Sequence, residues 1–431
     1  MLQFGCIADD YTGASDIASF IAKGGLRTIL VNGDADLSTI PEDSQAVVVA
    51  LKIRTCDPAE AKGQAVKKFI QLKELGAKTL YYKYCSTFDC TRLGNIGVVA
   101  DAVMEEMGFQ YTVLCPSLPV NGRTVRNGVL YVNEIPLSKS SMRFHPITPM
   151  WDSSLSVLMS EQSRYPVFNV AMEELLDAAK WKEIIDGLKG KHAHFYLVPD
   201  YYEDRHAFEI VSAFRDLRFF TGGSGLGTAL AKKMVENGLE NNPIASSASK
   251  ADGDTLLLAG SCSAMTRAQV ADYILKGNMT MRLEPAALMD DECGYLNTVI
   301  TFMMENRKGS PLIYSSTDPD QIEIIQKKYG VHEISERIEQ FFARIAEASV
   351  NNVFKTLIIA GGETSSAAIQ KLGFSMFKTG ASVASGVPVL TPLNDPSMRI
   401  ILKSGNFGSK DFFTTALEII SGRRDRMGAD N

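Results

Sequence analysis

Two adjacent aspartates, Asp9 and Asp10, offer the clearest chemistry in the sequence. They follow a short apolar run, residues 2–8, and a helical pattern begins after them. In an open α/β sheet, ligands bind at the carboxyl ends of strands. Two carboxylates in one place repel each other, so we expect this pair to bind a substrate hydroxyl, a proton or a metal ion. The alternative is that Asp10 or Thr12 caps the helix, which explains one acid more readily than two.

Three basic residues, Arg54, Lys83 and Arg123, stand in or just after later strand-length runs of the same half. If the sheet is parallel, all three lie at the edge that carries the aspartates. Cations would bind the carboxylate of a small acid, while acids and amides would bind its hydroxyls. Each cation alone has a simpler explanation as a surface ion pair or a solvated turn residue. Their convergence favours a site for a small anionic polyol.

Three Gly/Ser loops in the second half each follow an apolar run: GSCS at 260–263, GGETSS at 361–366 and KSGNFG at 403–408. Backbone N–H groups in such loops bind phosphates without a P-loop lysine. Ordinary strand-to-helix turns also use Gly and Ser, which is the competing explanation. A further Gly-rich turn at 222–227 is a weaker signal, because its spacing matches neither the dinucleotide nor the P-loop pattern.

Strand and helix patterns alternate along the chain, which predicts two α/β domains with largely parallel sheets and an interdomain active-site cleft. We expect an N-terminal substrate-binding domain at 1–240, a polar linker, and a C-terminal nucleotide-binding domain at 254–431. Within the first domain, the spacing predicts helices over 96–107, 172–188 and 202–214. Turn signals make residues 125–155 irregular.

Composition excludes several classes. The 431 residues carry a formal net charge of −6 without a basic block, which argues against nucleic acid as the main partner. No apolar run approaches the roughly 18 residues of a membrane span, and the first residues do not resemble a secretion signal. Seven cysteines without a C-x-x-C pair indicate reduced thiols in a cytoplasm. Five histidines without H-x-x-x-H spacing make a zinc site improbable, and no protein metal ligands are expected.

Phosphate loops in one half and an acidic, cationic edge in the other predict phosphoryl transfer from a nucleotide to a substrate hydroxyl. Asp10 or Asp9 would accept the hydroxyl proton. Mg²⁺ would bridge the phosphates.

The motifs also carry a family resemblance. IADDYTGASD at residues 7–16 resembles the opening IADDFTGATD of the four-carbon acid sugar kinases. The likeness covers nearly the whole chain and is nearest to the 3-oxo-tetronate kinase branch. It continues in order and spacing through KYCSTFD at 83–89, GNIG at 94–97, PVNGRT at 119–124, GGSGL at 222–226, GSCS at 260–263, GGETS at 361–365 and LKSGNFG at 402–408. The departures are Tyr11 for Phe, Ser15 for Thr and Ile53 for Thr.

The resemblance implies ATP-dependent phosphorylation of the 4-hydroxyl of 3-oxo-tetronate by a cytoplasmic enzyme. The residues expected around the acceptor are catalytic Asp10 and Asp9, with substrate-binding Arg54, Lys83, Ser86, Asp89, Asn121 and Arg123. Those expected around ATP are Ser261, Gly361, Gly362, Glu363, Thr364 and Gly405. Two alternatives remain: a D-threonate or D-erythronate 4-kinase of the same family, and a non-catalytic sugar-acid binding protein. The expected partners are an acid sugar and a nucleotide, with neither nucleic acid nor membrane. A homodimer is compatible with the sequence.

Overall fold

The computed structural model describes residues 2–88, 91–144, 148–242, 253–316 and 319–422. The chain forms two compact units, Met1–Ile244 and Ala245–Asn431. Most of the expected linker, residues 243–252, lies outside the described residues, and the domain limits of 240 and 254 stay predictions. None of the helices in the described part has both the length and the hydropathy that crossing a membrane requires.

The first unit is built on parallel strands. Its described strands are β1 (Phe4–Ala8), β2 (Thr28–Asn32), β3 (Ala46–Ala50), β4 (Thr79–Lys83), β5 (Tyr111–Cys115), β6 (Arg123–Arg126), β7 (Val129–Val132), β8 (Ile135–Pro136), β9 (Val167–Val170), β10 (Phe195–Pro199) and β11 (Phe219–Gly222). All except β6–β8 pair in parallel, in the order β2-β3-β1-β4-β11-β5-β10-β9. Runs such as FGCIA in β1 and AVVVA in β3 are buried throughout, as expected for a sheet covered on both faces.

The helices of the first unit connect these strands. They are α1 (Tyr11–Lys23), α2 (Pro58–Glu74), α3 (Ile96–Met107), α4 (Leu155–Ser160), α5 (Met172–Leu176), α6 (Ala178–Lys191), α7 (His206–Ala213) and α8 (Gly227–Glu236). The single helix expected over 172–188 is wrong, because Asp177 ends α5 and its carboxylate caps α6 by accepting from the N–H groups of Ala179 and Lys180. The helix expected from 202 begins only at His206.

The expectation of an irregular segment at 125–155 is wrong for residues 125–136. Strands β6, β7 and β8 form a separate antiparallel sheet within this segment. Their two-residue turns, Asn127-Gly128 and Asn133-Glu134, adopt positive φ at both positions, between 49° and 72°. Such turns match the twist of a hairpin. The turn residues are legible in the sequence, but strands of four, four and two residues are too short to show a periodic pattern.

The second unit repeats the α/β pattern with a mixed sheet. Its described strands are β12 (Asp254–Ala259), β13 (Thr280–Arg282), β14 (Leu312–Tyr314), β15 (Phe354–Ala360), β16 (Met376–Ala384), β17 (Val387–Pro392) and β18 (Arg399–Lys403). The order is β13-β14-β12-β15-β18-β17-β16; the first five are parallel, and β17 and β16 are antiparallel to their neighbours. The predicted α/β class, with two domains and largely parallel sheets, is confirmed.

The helices of the second unit are α9 (Ala264–Leu275), α10 (Pro285–Asp290), α11 (Glu292–Glu305), α12 (Pro319–Tyr329), α13 (Val331–Val350), α14 (Gly362–Leu372) and α15 (Phe412–Ile420). Helices α9 and α15 pack on one face of the sheet, where Tyr273 and Phe413 join a buried cluster with Ile358 and Ile401. This packing anchors the strands whose ends carry the Gly/Ser loops.

Each unit begins with a strand at which the strand order reverses. Strand β1 lies between β3 and β4, and strand β12 lies between β14 and β15. In both cases the next two strands of the chain lie on one side and the following strand on the other. The carboxyl end of such a strand opens into a crevice, which is the usual ligand position in α/β sheets. Asp9 and Asp10 follow β1, and the 260–263 loop follows β12.

Candidate functional site

The two aspartates are held by one arginine. Arg54 donates from Nε and Nη2 to the two carboxylate oxygens of Asp9, at 3.0 and 2.8 Å. The same Nη2 lies 2.9 Å from Oδ1 of Asp10. A planar guanidinium suits this bidentate geometry. Its charge explains how two acids occupy adjacent positions at one strand end.

The pKa values of the two carboxyls move in opposite directions. Burial raises the pKa of Asp9, and the charge and hydrogen bonds of Arg54 only partly oppose it. Burial would also raise the pKa of Asp10, but the charges of Arg54 and Lys83 and the hydrogen bonds from Thr12 and Gly13 outweigh it, so that pKa is lowered. Asp10 is therefore the firmly ionised member of the pair.

Asp10 also caps helix α1. Its Oδ1 accepts from the N–H of Gly13 at 2.8 Å, and its Oδ2 accepts from the hydroxyl of Thr12 at 2.9 Å. The capping alternative therefore holds for this residue. Even so, 24% of the Asp10 side chain is exposed, against 2% for Asp9. A ligand can reach Asp10, whereas Asp9 is enclosed by its arginine.

Lys83, the last residue of β4, faces a third acid. Its buried Nζ donates to the carbonyl of Tyr84 at 2.9 Å and lies 4.0 Å from Oδ2 of Asp16. Ser224 donates to the same carboxylate oxygen at 2.6 Å, while Oδ1 of Asp16 has no hydrogen-bond partner among the described residues. Burial raises the pKa of Asp16 to about 6 against the opposing charges of Lys83 and Arg123.

Asp16 and Ser224 also belong to this group, and Ser224 was not predicted as a site residue. Asp16 lies within the 7–16 motif, and Ser224 lies in the Gly-rich turn at 222–227, so both stood in recognised segments. The turn itself is packed closely: a Cβ on Gly222 would lie 2.2 Å from the carbonyl oxygen of Cys115. Close backbone approach explains that glycine.

The remaining acceptor-side residues lie in three neighbouring loops. Arg123 opens β6, donates to the carbonyl of Asn121, and lowers the pKa of Asp16 by its charge. The side-chain nitrogen of Asn121 is buried without a partner in the described part of the chain. Ser86 is buried beside Gly223. No hydrogen bond within the described ranges joins Ser86 or Asn121 to Asp9 or Asp10, and the expected Asp89 lies outside those ranges.

The three Gly/Ser loops of the second unit meet at one edge of its sheet. Strands β12, β15 and β18 are parallel neighbours that end level, with Ala259 opposite Ala360 and Ala360 opposite Lys403. The N–H groups of Gly260 and Ser261 both donate to the carbonyl of Ala360, at 3.1 and 3.2 Å. These bonds hold the loop starts side by side.

Glycines allow these loops to touch. A Cβ on Gly260 would lie 2.0 Å from Oγ1 of Thr364, and one on Gly405 would lie 2.5 Å from Oγ of Ser261. Gly361 has a φ of 137°, a conformation that side chains rarely adopt. The structure thus brings Ser261, Gly361, Thr364 and Gly405 together.

Gly362 and Glu363 form the first turn of α14. The residue that caps this helix is Gly361, and it makes no side-chain capping hydrogen bond. The free N–H groups of such a helix end favour an anion. Glu363 is exposed there.

Two domain families match the chain. The "Sugar-binding N-terminal domain" family matches residues 4–230, and the "Nucleotide-binding C-terminal domain" family matches residues 256–413.

Known proteins resemble the chain over nearly their full length. The 3-oxo-tetronate kinase of Pectobacterium atrosepticum is 38% identical over 424 residues, which cover 96% of this chain and 99% of the relative. The 3-oxo-tetronate kinase of Haemophilus influenzae is 38% identical over 418 residues, with coverages of 96% and 99%. A crystal structure from Salmonella typhimurium LT2 matches with a TM-score of 0.85 at 36% identity, and covers 96% of this chain and 99% of that one.

Proposed function

The chain belongs to the 3-oxo-tetronate kinase family, and we propose that it transfers the terminal phosphoryl group of ATP to the 4-hydroxyl of 3-oxo-tetronate. The observation that carries this proposal is the pairing of two sites of different chemistry. The unit that matches a sugar-binding family presents acids and cations at the end of β1. The unit that matches a nucleotide-binding family presents three touching Gly/Ser loops.

The acceptor would be bound through its carboxylate and hydroxyls by Arg54, Lys83, Ser86, Asp89, Asn121 and Arg123. Arg54 already neutralises two aspartates, so its part is to orient them. Lys83 and Arg123 would supply positive charge for the substrate carboxylate. The charge of Lys83 acts on Asp9, Asp10 and Asp16, and that of Arg123 acts on Asp16. The unpartnered amide of Asn121 suits a substrate oxygen.

Asp10 is our candidate for the group that meets the reacting hydroxyl, with Asp9 and Arg54 holding it in place. It is the most exposed of the three acids and it is ionised. Phosphoryl transfer passes through a loose transition state, so positioning and charge matter more than the strength of the base. One observation favours Asp16 instead: its pKa of about 6 is closer to the pH at which a general base works best.

ATP would be bound in the second unit at Ser261, Gly361, Gly362, Glu363, Thr364 and Gly405, which the Gly/Ser loops at the ends of β12, β15 and β18 carry. In the described ranges no group of three His, Cys, Asp or Glu side chains forms a metal site. Mg²⁺ would therefore be held mainly by phosphate oxygens and water, with few protein ligands, as is usual for nucleotide-bound magnesium. When bound, it would neutralise charge on the phosphates.

A substrate panel tests the proposal. Purified full-length protein is incubated with Mg-ATP and either 3-oxo-tetronate, D-threonate or D-erythronate, and ADP formation is followed. We expect the highest kcat/KM for 3-oxo-tetronate and a 4-phosphate product by phosphorus NMR. A preference for another acid would change the substrate but keep the reaction. Binding of an acid without ADP formation from any of the three would make the chain a binding protein instead.

A further inference from the structure

Lys403, the last residue of β18, is a fully buried lysine at the edge where the three Gly/Ser loops meet. Its Nζ donates to three neutral oxygens. They are Oγ1 of Thr266 at 3.1 Å, the carbonyl of Ser404 at 2.8 Å and the carbonyl of Gly405 at 3.0 Å. An ammonium group has three donors, so its hydrogen bonds are satisfied.

Its charge, by contrast, is not neutralised. Lys403 has no ion pair among the described residues; besides its three neutral hydrogen-bond acceptors, it faces the ring of Phe412, whose centroid lies 5.8 Å away. The charged groups on the elements around it are Lys355, Arg399, Arg267, Asp272, Glu363, Lys371, Asp411 and Glu418, and none of them pairs with it. A buried charge without a counter-charge is costly. Burial accordingly lowers the pKa of Lys403 to about 7.

The hydrogen bonds of Lys403 also set the direction of the loop backbone. The carbonyl of Gly405 accepts from Nζ of Lys403 and from the hydroxyls of Ser263 and Thr266, at 2.7 and 2.8 Å for the hydroxyls. The carbonyl of Ser404 likewise faces Lys403. In a trans peptide the next N–H points away from the carbonyl. The N–H groups of Gly405 and Asn406 are therefore turned to the opposite side.

Those two N–H groups are open to a ligand. Neither has a hydrogen-bond partner within the described residues, and Asn406 is exposed. Successive unpaired N–H groups form a concavity that binds anions. The buried charge of Lys403 thus lies on one side of the loop, and the N–H groups of Gly405 and Asn406 are on the other.

We propose that Lys403 is a positioning residue of the nucleotide site: it holds the Ser404 and Gly405 carbonyls inward, and its counter-charge arrives only with a nucleotide phosphate bound at the Gly405 and Asn406 N–H groups. This inference rests on the proposed function, because it assumes that the loops bind ATP. The phosphate need not touch Nζ. A phosphate in front of the loop stabilises the charged form of Lys403, so nucleotide binding and protonation of Lys403 favour each other.

The coupling predicts a pH dependence with a definite sign. Below neutrality Lys403 is already charged and binding takes up no proton through it. Above neutrality the free protein has lost this proton and must regain it on binding, so affinity falls as pH rises. The terminal phosphate of ATP does not produce this change, because its last ionisation, near pH ~6, is complete in that range.

Calorimetric titration of the full-length protein with Mg-ATP tests the inference, in two buffers of different ionisation enthalpy. From pH 7.5 to 9 we expect the wild-type Kd to rise by about tenfold per pH unit, with an uptake approaching about one proton per nucleotide. Lys403→Met should bind ATP more weakly at pH 7.5, with no proton uptake and no slope. Lys378→Met, which removes an exposed lysine of β16, should behave as wild type.

Each outcome decides a separate point. Wild type that binds ATP with a flat profile and no proton uptake overturns the role of Lys403 and leaves the kinase intact. Wild type that binds no ATP at any pH overturns the proposed function and this inference with it. If Lys403→Met does not fold, Thr266→Val serves instead. It removes one acceptor of the ammonium, so the midpoint of the wild-type profile must move to lower pH; an unmoved midpoint counts against Lys403.

Discussion

At the scale of single residues, the positive charge of Arg54 allows the two acidic side chains Asp9 and Asp10 to lie side by side. It bridges Asp9 and Asp10, whose carboxylates follow one another in the chain. Removing it would leave two partly or fully buried acids beside each other. A broken buried ion pair is far more costly than a lost surface pair, because the partner remains desolvated.

Arg54→Met should therefore lower the free energy of unfolding at pH 7 by about 3–5 kcal/mol. The loss should shrink on acidification. The pKa of Asp10 is lower in the folded state than in the unfolded state. The ionised carboxylate therefore stabilises the fold above the unfolded-state pKa, and this stabilisation is lost as pH falls through the folded-state pKa. Urea unfolding between pH 7 and 4 measures both effects. Arg27→Met is the matched control, because Arg27 pairs with the exposed Asp43 and should cost at most about 1 kcal/mol. Equal losses in the two variants would contradict the role given to Arg54.

Asp10→Asn separates catalysis from capping. Asparagine caps helices as well as aspartate does, so the bond to the N–H of Gly13 survives and only the charge that pairs with Arg54 is lost. Turnover should fall by at least about 100-fold, in the range of a lost general base, while ATP affinity stays within about twofold. Asp16→Asn is the comparison variant. If that variant loses turnover and Asp10→Asn retains it, the proton acceptor is Asp16.

The residues of the site could be predicted from the sequence more readily than the residues with which they form hydrogen bonds and ion pairs. Arg54, Lys83 and the aspartates were expected at one edge, because parallel strands place their carboxyl ends together. That Arg54 neutralises both acids depends on the register of β1 and β3, which no local pattern encodes. The contacts of Asp16 could not be predicted either, because it lies inside a helix and only the packing of α1 turns it toward Lys83 and Ser224.

At the scale of elements, the conformation of the nucleotide loops depends on the residue between β15 and α14, Gly361. Gly361 directly follows the last residue of β15, adopts a φ of 137° and caps α14. A side chain there is strained and meets the N–H of Ser261 and Oγ1 of Thr364, each 3.1 Å from the new Cβ.

Gly361→Ala should accordingly destabilise the protein by about 1–3 kcal/mol and weaken ATP binding by at least tenfold. Calorimetric titration with ATP and thermal unfolding provide the two readouts. Gly187→Ala is the control: this exposed position in α6 has open space around it, and alanine favours a helix by up to about 1 kcal/mol. ATP affinity unchanged in Gly361→Ala would place the phosphates elsewhere.

A helix with strong hydrophobic periodicity was predicted correctly. Helix α3 has the limits Ile96–Met107 that its spacing predicts. Elements that depend on single polar residues or on distant pairing were missed. The break between α5 and α6 comes from one capping carboxylate, and the small sheet β6–β8 comes from two tight turns. The antiparallel β16 and β17 were largely missed too, since their pairing joins residues across a turn rather than along a pattern.

At the scale of the whole molecule, two units share one arrangement. Each begins with a strand at the reversal point of its own sheet, and each places its candidate site at the end of that strand. In the first unit the end of β1 is followed by the carboxylates of Asp9 and Asp10, and in the second unit the end of β12 is followed by the Gly/Ser loop at 260–263. Ligand chemistry is thus divided between the units, although their topology at the site is alike.

This division predicts separable effects on the two substrates. Arg123→Met in the first unit should raise the KM for the acid sugar by at least about tenfold, in keeping with a lost charge-assisted hydrogen bond, and leave the KM for ATP unchanged. Gly361→Ala should do the reverse. Initial rates with each substrate varied at saturating levels of the other give both constants. A variant that raises both KM values equally would show that the division does not hold.

The position of β11 has a consequence for the growing chain. This strand lies between β4 and β5, yet it comes last of the sheet strands in the first unit. Until residues 219–222 have been synthesised, β2-β3-β1-β4 and β5-β10-β9 cannot join, and β4 and β5 each present an unpaired edge. The Ser224 hydroxyl that binds Asp16 arrives at the same moment. A ribosome that stops before this point leaves two half-sheets prone to aggregate, and Asp16 without the Ser224 hydroxyl.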